Sequence, residues 1–145
     1  LMNLTIFLNK KPILLILVML LGTSAQADII QERKNAFRDN SIALRAITKS
    51  IRSKDFENII KNARVIEKWS IIMSEYFPKG SDQGNTNASE NIWLDFNSFQ
   101  LKISENTTAT RALIAAAEAK SISDIKQLTN NLGSTCQSCH MKFKR

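Results

Sequence analysis

Cys136-Gln137-Ser138-Cys139-His140 gathers both cysteines and the one histidine of the chain into five residues. A C-x-x-C-H run is an attachment site for covalent haem. On a helix, positions three and four apart share a face, so two cysteines one turn apart can take up the two haem vinyl groups as thioethers. His140 then points at the iron, for which neutral imidazole is a strong ligand. A structural zinc site fits poorly, because it needs four ligands and the run offers three. A thioredoxin-like pair also fits poorly, since it sits at a helix start within a βαβ pattern, and no such pattern is visible. A disulfide is compatible with an oxidising compartment but leaves the adjacent histidine unexplained.

Ligand arithmetic limits what such an iron can do. Once His140 is used there is no second histidine, and past the N-terminal apolar run the thioethers are Met73 and Met141. Met141 follows the histidine directly and cannot reach the opposite face of the ring. Met73 reads as a space-filling residue of a helix bundle. The expectation is one haem c per chain, with a five-coordinate iron and an open sixth position.

The N-terminus reads as an export signal. Lys10 and Lys11 precede the apolar run Ile13 to Leu21, and Ala25-Gln26-Ala27 supplies a small-x-small cleavage site. That run is too short to span a bilayer. Cleavage after Ala27 leaves residues 28–145 as one domain and places the protein in a bacterial periplasm, where thioether attachment to haem takes place. Residues 1–27 carry two lysines and no acidic residue, so their removal lowers the formal net charge from +7 to +5. The basic residues are spread along the chain, which favours solubility and weak attraction to acidic partners and gives no nucleic-acid footprint. No membrane segment is expected after cleavage.

The pattern that must position the motif is helical throughout. Proline occurs only at Pro12 and Pro78, and glycine past the leader only at Gly80, Gly84 and Gly133. Ile30, Phe37, Leu44 and Ile51 recur every seven residues, with Arg33, Asn40 and Ile47 beside them, as a bundle seam that is partly polar at its start. A polar half-seam next to a core suggests the edge of a charged ligand. Ile59, Ala63, Ile66 and Met73 mark a second helix, expected from about residue 55 to 76 and stopped by Phe77-Pro78. A Gly- and Asn-rich loop follows. A third helix, starting near Ser89, carries Ile92, Phe96, Phe99, Ile103, Leu113 and Ala117, with a bend expected at the weakly helical Asn106-Thr107-Thr108. The fourth opens at Ser121-x-x-Asp124, a capping pattern, and lines up Ile125, Leu128, Leu132, Cys136, Cys139 and Phe143. The fold expected is all-α: an antiparallel up-down four-helix bundle with the haem on its C-terminal helix.

A haem motif five residues from the end of the sequence, on the last of four helices, resembles cytochrome c′, the class II c-type cytochromes; single-haem class I proteins carry the motif near the N-terminus. Local likenesses fall at Arg33 to Phe37, Tyr76-Phe77-Pro78-Lys79-Gly80-Ser81, Ile92-Trp93 to Phe99, and most specifically Leu132 to Phe143. The resemblance implies that Cys136 and Cys139 hold the haem, that His140 is the proximal ligand, that Arg33 lies near a propionate, and that Phe37 faces the sixth coordination site. Low-spin relatives use a methionine in the first helix, and none stands there. Relatives commonly have arginine five residues after the second cysteine, where this chain has Lys144, which keeps the charge but lacks the planar fork.

An apolar wall at Phe37 offers no hydrogen-bond donor, so dioxygen is expected to bind poorly while NO and CO bind. Phe37 should also crowd a distal ligand. The leading expectation is a periplasmic haem protein that binds NO, and CO as well, for NO buffering or transport. The alternative is single-haem electron transfer between periplasmic redox proteins. A peroxidase is not expected, since no distal His or Arg pair is available. Relatives are usually homodimers through the first two helices, and the stripe Ile29, Ala36, Ala43 and Ala46 is the sequence's candidate for that face.

Overall fold

The computed structural model describes the backbone of residues 11–145 and the side chains of residues 26–145. Residues 1–10 of the expected leader, and the side chains up to Ala25, lie outside the described residues. Four long helices form the bundle: α1 (Lys11–Ser53), α2 (Phe56–Ile72), α4 (Phe96–Glu118) and α5 (Ile122–Phe143), with a short α3 (Asn91–Leu94) in the crossover between α2 and α4. Neighbours in sequence are neighbours in space, α1 on α2, α2 on α4 and α4 on α5, and α5 closes the square on α1. Among the described residues there is no β-strand, and no helix is long and apolar enough to cross a membrane.

One end of the bundle is closed by two turns of the same design. After α1, Asp55 N–H donates to Ser50 O (3.0 Å) and Lys54 N–H to Ile51 O (3.3 Å). After α4, Ser121 N–H donates to Ala116 O (3.0 Å) and Lys120 N–H to Ala117 O (3.1 Å). Each pair is the double bond of a Schellman motif, which satisfies carbonyls left over at a helix end. The residue that must turn left-handed is a lysine in both, with φ of 55° at Lys54 and 56° at Lys120. No residue is spent on a linker: Asp55 and Ser121 are already the N-caps of the next helices. Asp55 accepts from Asn58 N–H at 3.0 Å, whereas the Ser121 hydroxyl turns to Asp124 Oδ2 instead of the backbone.

The core has two parts. Towards the tight turns it is aliphatic, built from Ala43, Ile47, Ile59, Ala63, Ile66, Leu113, Ile114, Ile125 and Leu132. Towards the crossover it is aromatic, with Trp69, Phe77, Phe99 and Phe143 joined by Met73 and Ile92. Small and branched side chains let the helices approach closely in the first half, and flat rings hold them apart in the second.

Three expectations are corrected and one, for the second helix, is refined. The third helix does not run from Ser89: Asp95, at φ −135° and ψ 62°, interrupts it and caps α4 by accepting from Ser98 N–H. Its middle is continuous helix, where Asn106 and Thr107 direct their polar groups to neighbouring helices. Asn106 donates to Thr135 Oγ1 (2.9 Å) on α5, and Thr107 to Ser70 Oγ (2.9 Å) on α2. The second helix tightens into a 3₁₀ turn over Met73–Tyr76 before Pro78 stops it. Of the apolar stripe on α1, Ala43 is packed into the core and unavailable to a partner chain; the large exposed apolar side chains are Ile42 on α1 and Val65, Ile71 and Ile72 on α2.

Glu67 is nearly buried on α2 and bonded to Arg111 Nε of α4 (2.8 Å) and to Arg64 Nη1 (2.9 Å). Those bonds hold its carboxyl below the ordinary carboxylate range, against the upward push of burial. A depressed folded-state pKa contributes stability above the ordinary pKa and loses it as pH falls through the folded value. Glu67→Gln should therefore unfold at lower urea than the parent at pH 7, by at most about 1 kcal/mol because both guanidiniums are half in water, and the gap should close on acidification below pH 4. Lys54→Gly and Lys120→Gly should each raise stability by about 0.5–1 kcal/mol by relieving the left-handed strain, read as an upward shift of the thermal midpoint.

Candidate haem-binding site

The crossover spans residues 73–95 and turns left-handed at Gly80 (φ 85°) and Gly84 (φ 91°). Two anchors hold it over the open end of the bundle. The first is Arg33, whose side chain is 2% exposed. Its Nη1 donates to Ser81 Oγ (2.8 Å) and Tyr76 O (3.2 Å), and its Nη2 to Thr86 Oγ1 (2.6 Å) and Ser81 O. The guanidinium carbon lies 4.6 Å from the centre of the Phe77 ring. Burial draws the pKa of Arg33 below its ordinary value, partly offset by the Asp82 carboxylate.

The second anchor is a strap between crossover and C-terminus. Ser89 N–H donates to Phe143 O (3.0 Å), Arg145 N–H donates to Asn87 O (2.8 Å), and Ala88 bridges Lys144. Lys142 Nζ donates to Asp95 Oδ2 (2.8 Å) and Ser98 Oγ (2.7 Å), which ties the end of α5 to the start of α4. Because these bonds hold the end of α5 against the crossover and the start of α4, they restrict where His140, one turn earlier, stands.

Between α1 and α5, beneath the crossover, lies a cavity of about 430 Å³ whose lining is mostly apolar. Cys136, Cys139 and His140 face it from α5, and Arg33 and Phe37 from α1. The structure thus brings all five expected residues to one cavity, together with Lys144 at its rim. Both thiols are free and half-buried. Burial raises both of their pKa values, Cys139 to about 11 with help from Cys136, while Asn106 donates to Cys136 Sγ at 3.6 Å. Neutral thiols suit thioether formation better than thiolate coordination. Among the described residues no group of three His, Cys, Asp or Glu is arranged to hold a metal ion. His140 is held below the ordinary imidazole pKa by desolvation and the Lys144 charge, which keeps the ring neutral and its lone pair free.

Across the cavity the Phe37 ring lies 6.2 Å from the His140 ring, nearly edge-on at 67°. Trp69 backs Phe37 at 5.4 Å, and Tyr76 backs Trp69 at 5.0 Å. An apolar slot, two thiols and an imidazole on one wall, and a buried cation at the mouth are the donor set that a haem requires: a hydrophobic cradle, two sulfurs, an axial nitrogen and a counter-charge for a carboxylate.

Sequence reasoning missed Ser81 and Thr86, which receive the Arg33 fork, because nothing local marks a loop residue as the partner of one fifty positions away. It missed Asp95 as well, although an aspartate three residues before Ser98 is a readable cap signal. Arg33→Met should cost about 2–4 kcal/mol by leaving the hydroxyl and carbonyl acceptors of the crossover unpaired. Arg33→Lys should fall between it and the parent. Urea unfolding measures the loss, and faster proteolysis within residues 79–90 should accompany it; a cost under about 0.5 kcal/mol, as for a solvated surface charge, would remove the clamp.

The fold and the motif have known counterparts. A family model described as cytochrome C′ matches residues 28–144. The cytochrome c′ of Rhodospirillum rubrum is 35% identical over 69 residues, so the matched segment spans about half of that relative, 47% of its length. Cytochrome c prime from Shewanella frigidimarina superposes with a TM-score of 0.75 at 30% identity, covering 83% of this chain and 96% of that one. Cytochrome c′ from Rubrivivax gelatinosus gives 0.74 at 25%, covering 83% and 97%. A variant of the Alcaligenes xylosoxidans protein, ferrous and with bound NO, shares the fold at 0.74 and 24%, covering 83% and 95%. A match along nearly the whole described bundle, with the thiols and imidazole on its last helix, means that the chain belongs to the cytochrome c′ family, whose members carry covalent haem c.

Proposed function

We propose that Cys136 and Cys139 bind one haem c through thioethers, that His140 is the iron's protein ligand, and that the iron stays five-coordinate and takes up NO, and CO, for NO buffering or transport in the periplasm. The observation that carries this reading is the ring opposite His140. Phe37 is the side chain in ring contact with His140, and a phenyl ring cannot ligate iron. When bound, the haem supplies an open coordination position; the protein's residues decide what can use it.

Each neighbouring side chain has a separable role. Phe37, backed by Trp69, limits the space open to an incoming ligand and slows its entry. Arg33 puts a fixed positive charge at the mouth of the cavity, suited to a propionate. The apolar slot excludes water. No His and Arg pair assists bond cleavage on the Phe37 side, which supports a binding role over an enzymatic one. The NO bound in the Alcaligenes xylosoxidans variant supports the choice of ligand. Export is supported by the family match beginning at residue 28, the first residue after the expected cleavage site. Association as a homodimer through α1 and α2 is supported by the exposed Ile42 and Val65.

A second reading, electron transfer through a six-coordinate haem, is favoured by one feature: Met73 lines the same cavity. It belongs to the aromatic cluster and comes from the 3₁₀ turn that follows α2, whereas Phe37 is the residue in ring contact with His140. The ferric optical spectrum separates the two. A high-spin spectrum unchanged in Met73→Leu, with a new absorbance spectrum when the reduced protein meets NO, is expected. A low-spin ferric spectrum that becomes high-spin in Met73→Leu would put electron transfer first. Cys136→Ala together with Cys139→Ala should leave haem extractable by acidified organic solvent, where the parent retains it.

A further inference from the structure

The α1 wall of the cavity carries a polar group that no packing requirement explains. Asn40, three residues after Phe37, lines the cavity, and its Oδ1 is buried without a hydrogen-bond partner among the described residues. Other part-buried asparagines are bonded within the bundle. Asn58 Nδ2 donates to Ser50 Oγ (2.7 Å), Asn62 Nδ2 to Asn58 O (2.8 Å) and Asn106 Nδ2 to Thr135 Oγ1 (2.9 Å). An unpaired buried carbonyl oxygen costs free energy, and a leucine or alanine at the same helical position would avoid it. A carboxamide kept at that cost in the wall facing the haem motif points to a partner that is not part of the chain.

The neighbouring residues narrow down that partner. The polar groups of a haem are its propionates, and the counter-charge suited to them is Arg33, seven residues earlier and about 10 Å away along the helix axis. Phe37 lies between the two and faces His140. On the Asn40 side of Phe37 the remaining polar species is a small ligand at the open coordination position. Rotation about the last side-chain bond of an asparagine is soft and roughly two-fold, so the amide arm can be presented to the cavity as readily as the carbonyl.

We propose that Asn40 is a specificity-determining residue of the gas site, donating its Nδ2–H to the outer atom of a bound diatomic ligand. This rests on the gas-binding reading above and changes one part of it: the wall beside Phe37 is not devoid of donors. One hydrogen bond from Asn40 discriminates in favour of ligands whose outer atom gains negative charge on binding, and it slows their escape. Phe37 and Asn40 then act on different quantities, Phe37 on the room for entry and Asn40 on the lifetime of what has entered.

The test compares the haem-loaded parent with Asn40→Leu, and with Asn40→Ala should leucine disturb folding. The readouts are the infrared C–O stretch of the CO-treated ferrous protein, the NO dissociation rate and the thermal midpoint. Loss of the donor should move the C–O stretch to higher frequency and speed NO dissociation about tenfold, the equivalent of one hydrogen bond. The midpoint should stay level or rise, since the amide has no partner in the bundle. If parent and variants bind gas with the same stretch and the same dissociation rate, the role of Asn40 falls and the gas-binding reading stands. If the variants lose thermal stability while the stretch is unchanged, Asn40 is structural and the inference falls. If the parent forms no CO or NO adduct, the gas-binding reading fails and takes this inference with it.

Discussion

A guanidinium taken out of water must have its donors met, and the crossover meets those of Arg33 with two hydroxyls and two carbonyls. Among the described residues Arg33 forms no ion pair, so the bond between α1 and the crossover is made of directional hydrogen bonds. Such a bond depends on geometry: it holds residues 76, 81 and 86 in place over the cavity and leaves the cation's charge uncancelled by contact. The segment that roofs the site is thereby fixed by the same side chain that presents positive charge inside it. A hydrophobic residue at position 33 could pack, but it would supply neither function.

The two ends of the bundle solve opposite problems. At the closed end, two tight turns and a core of alanine and branched aliphatics join the four helices. At the open end, the long crossover and a chain of edge-on rings from Phe77 through Phe99 to Phe143 fill volume without closing the gap between α1 and α5. Rings packed edge to face resist collapse because their favoured centroid separations are 4.5–7 Å. The cavity is thus a product of side-chain shape on the helices around it, and the closed end sets the frame in which that shape is read out.

Much of this was legible in the sequence, because helix pattern and the C-x-x-C-H run are local signals. The heptad positions from Ile30 to Ile51, the helix start near Asp55 and the stop at Pro78 follow from residues within a turn or two of each other. Phe37 and Arg33 were reachable only through resemblance: a phenylalanine on a seam and a charge on a helix have no chemistry of their own until another helix faces them. The lysines at the two Schellman turns hid the turns, since glycine is the usual sign of a left-handed residue and stands at neither. Asn40 was visible as a polar residue in an apolar seam, but its lack of a partner is a property of the assembled bundle.

The replacement of the family's usual arginine by Lys144 can now be separated into a backbone part and a side-chain part. The backbone at this position is held by the Ala88 bridge and by the flanking bonds from Ser89 to Phe143 and from Arg145 to Asn87, none of which involves the side chain. His140 therefore keeps its place whichever base follows it. What changes is the reach and hydration of the charge at the cavity rim, where an ammonium is a compact, strongly hydrated point and a guanidinium a flat plate that can cover a ring. A point charge on a flexible stem shields the proximal side less than a plate does, while still lowering the affinity of the imidazole for protons. The place of the His140 ring on the cavity wall is accordingly set by the backbone strap more than by the side chain at position 144.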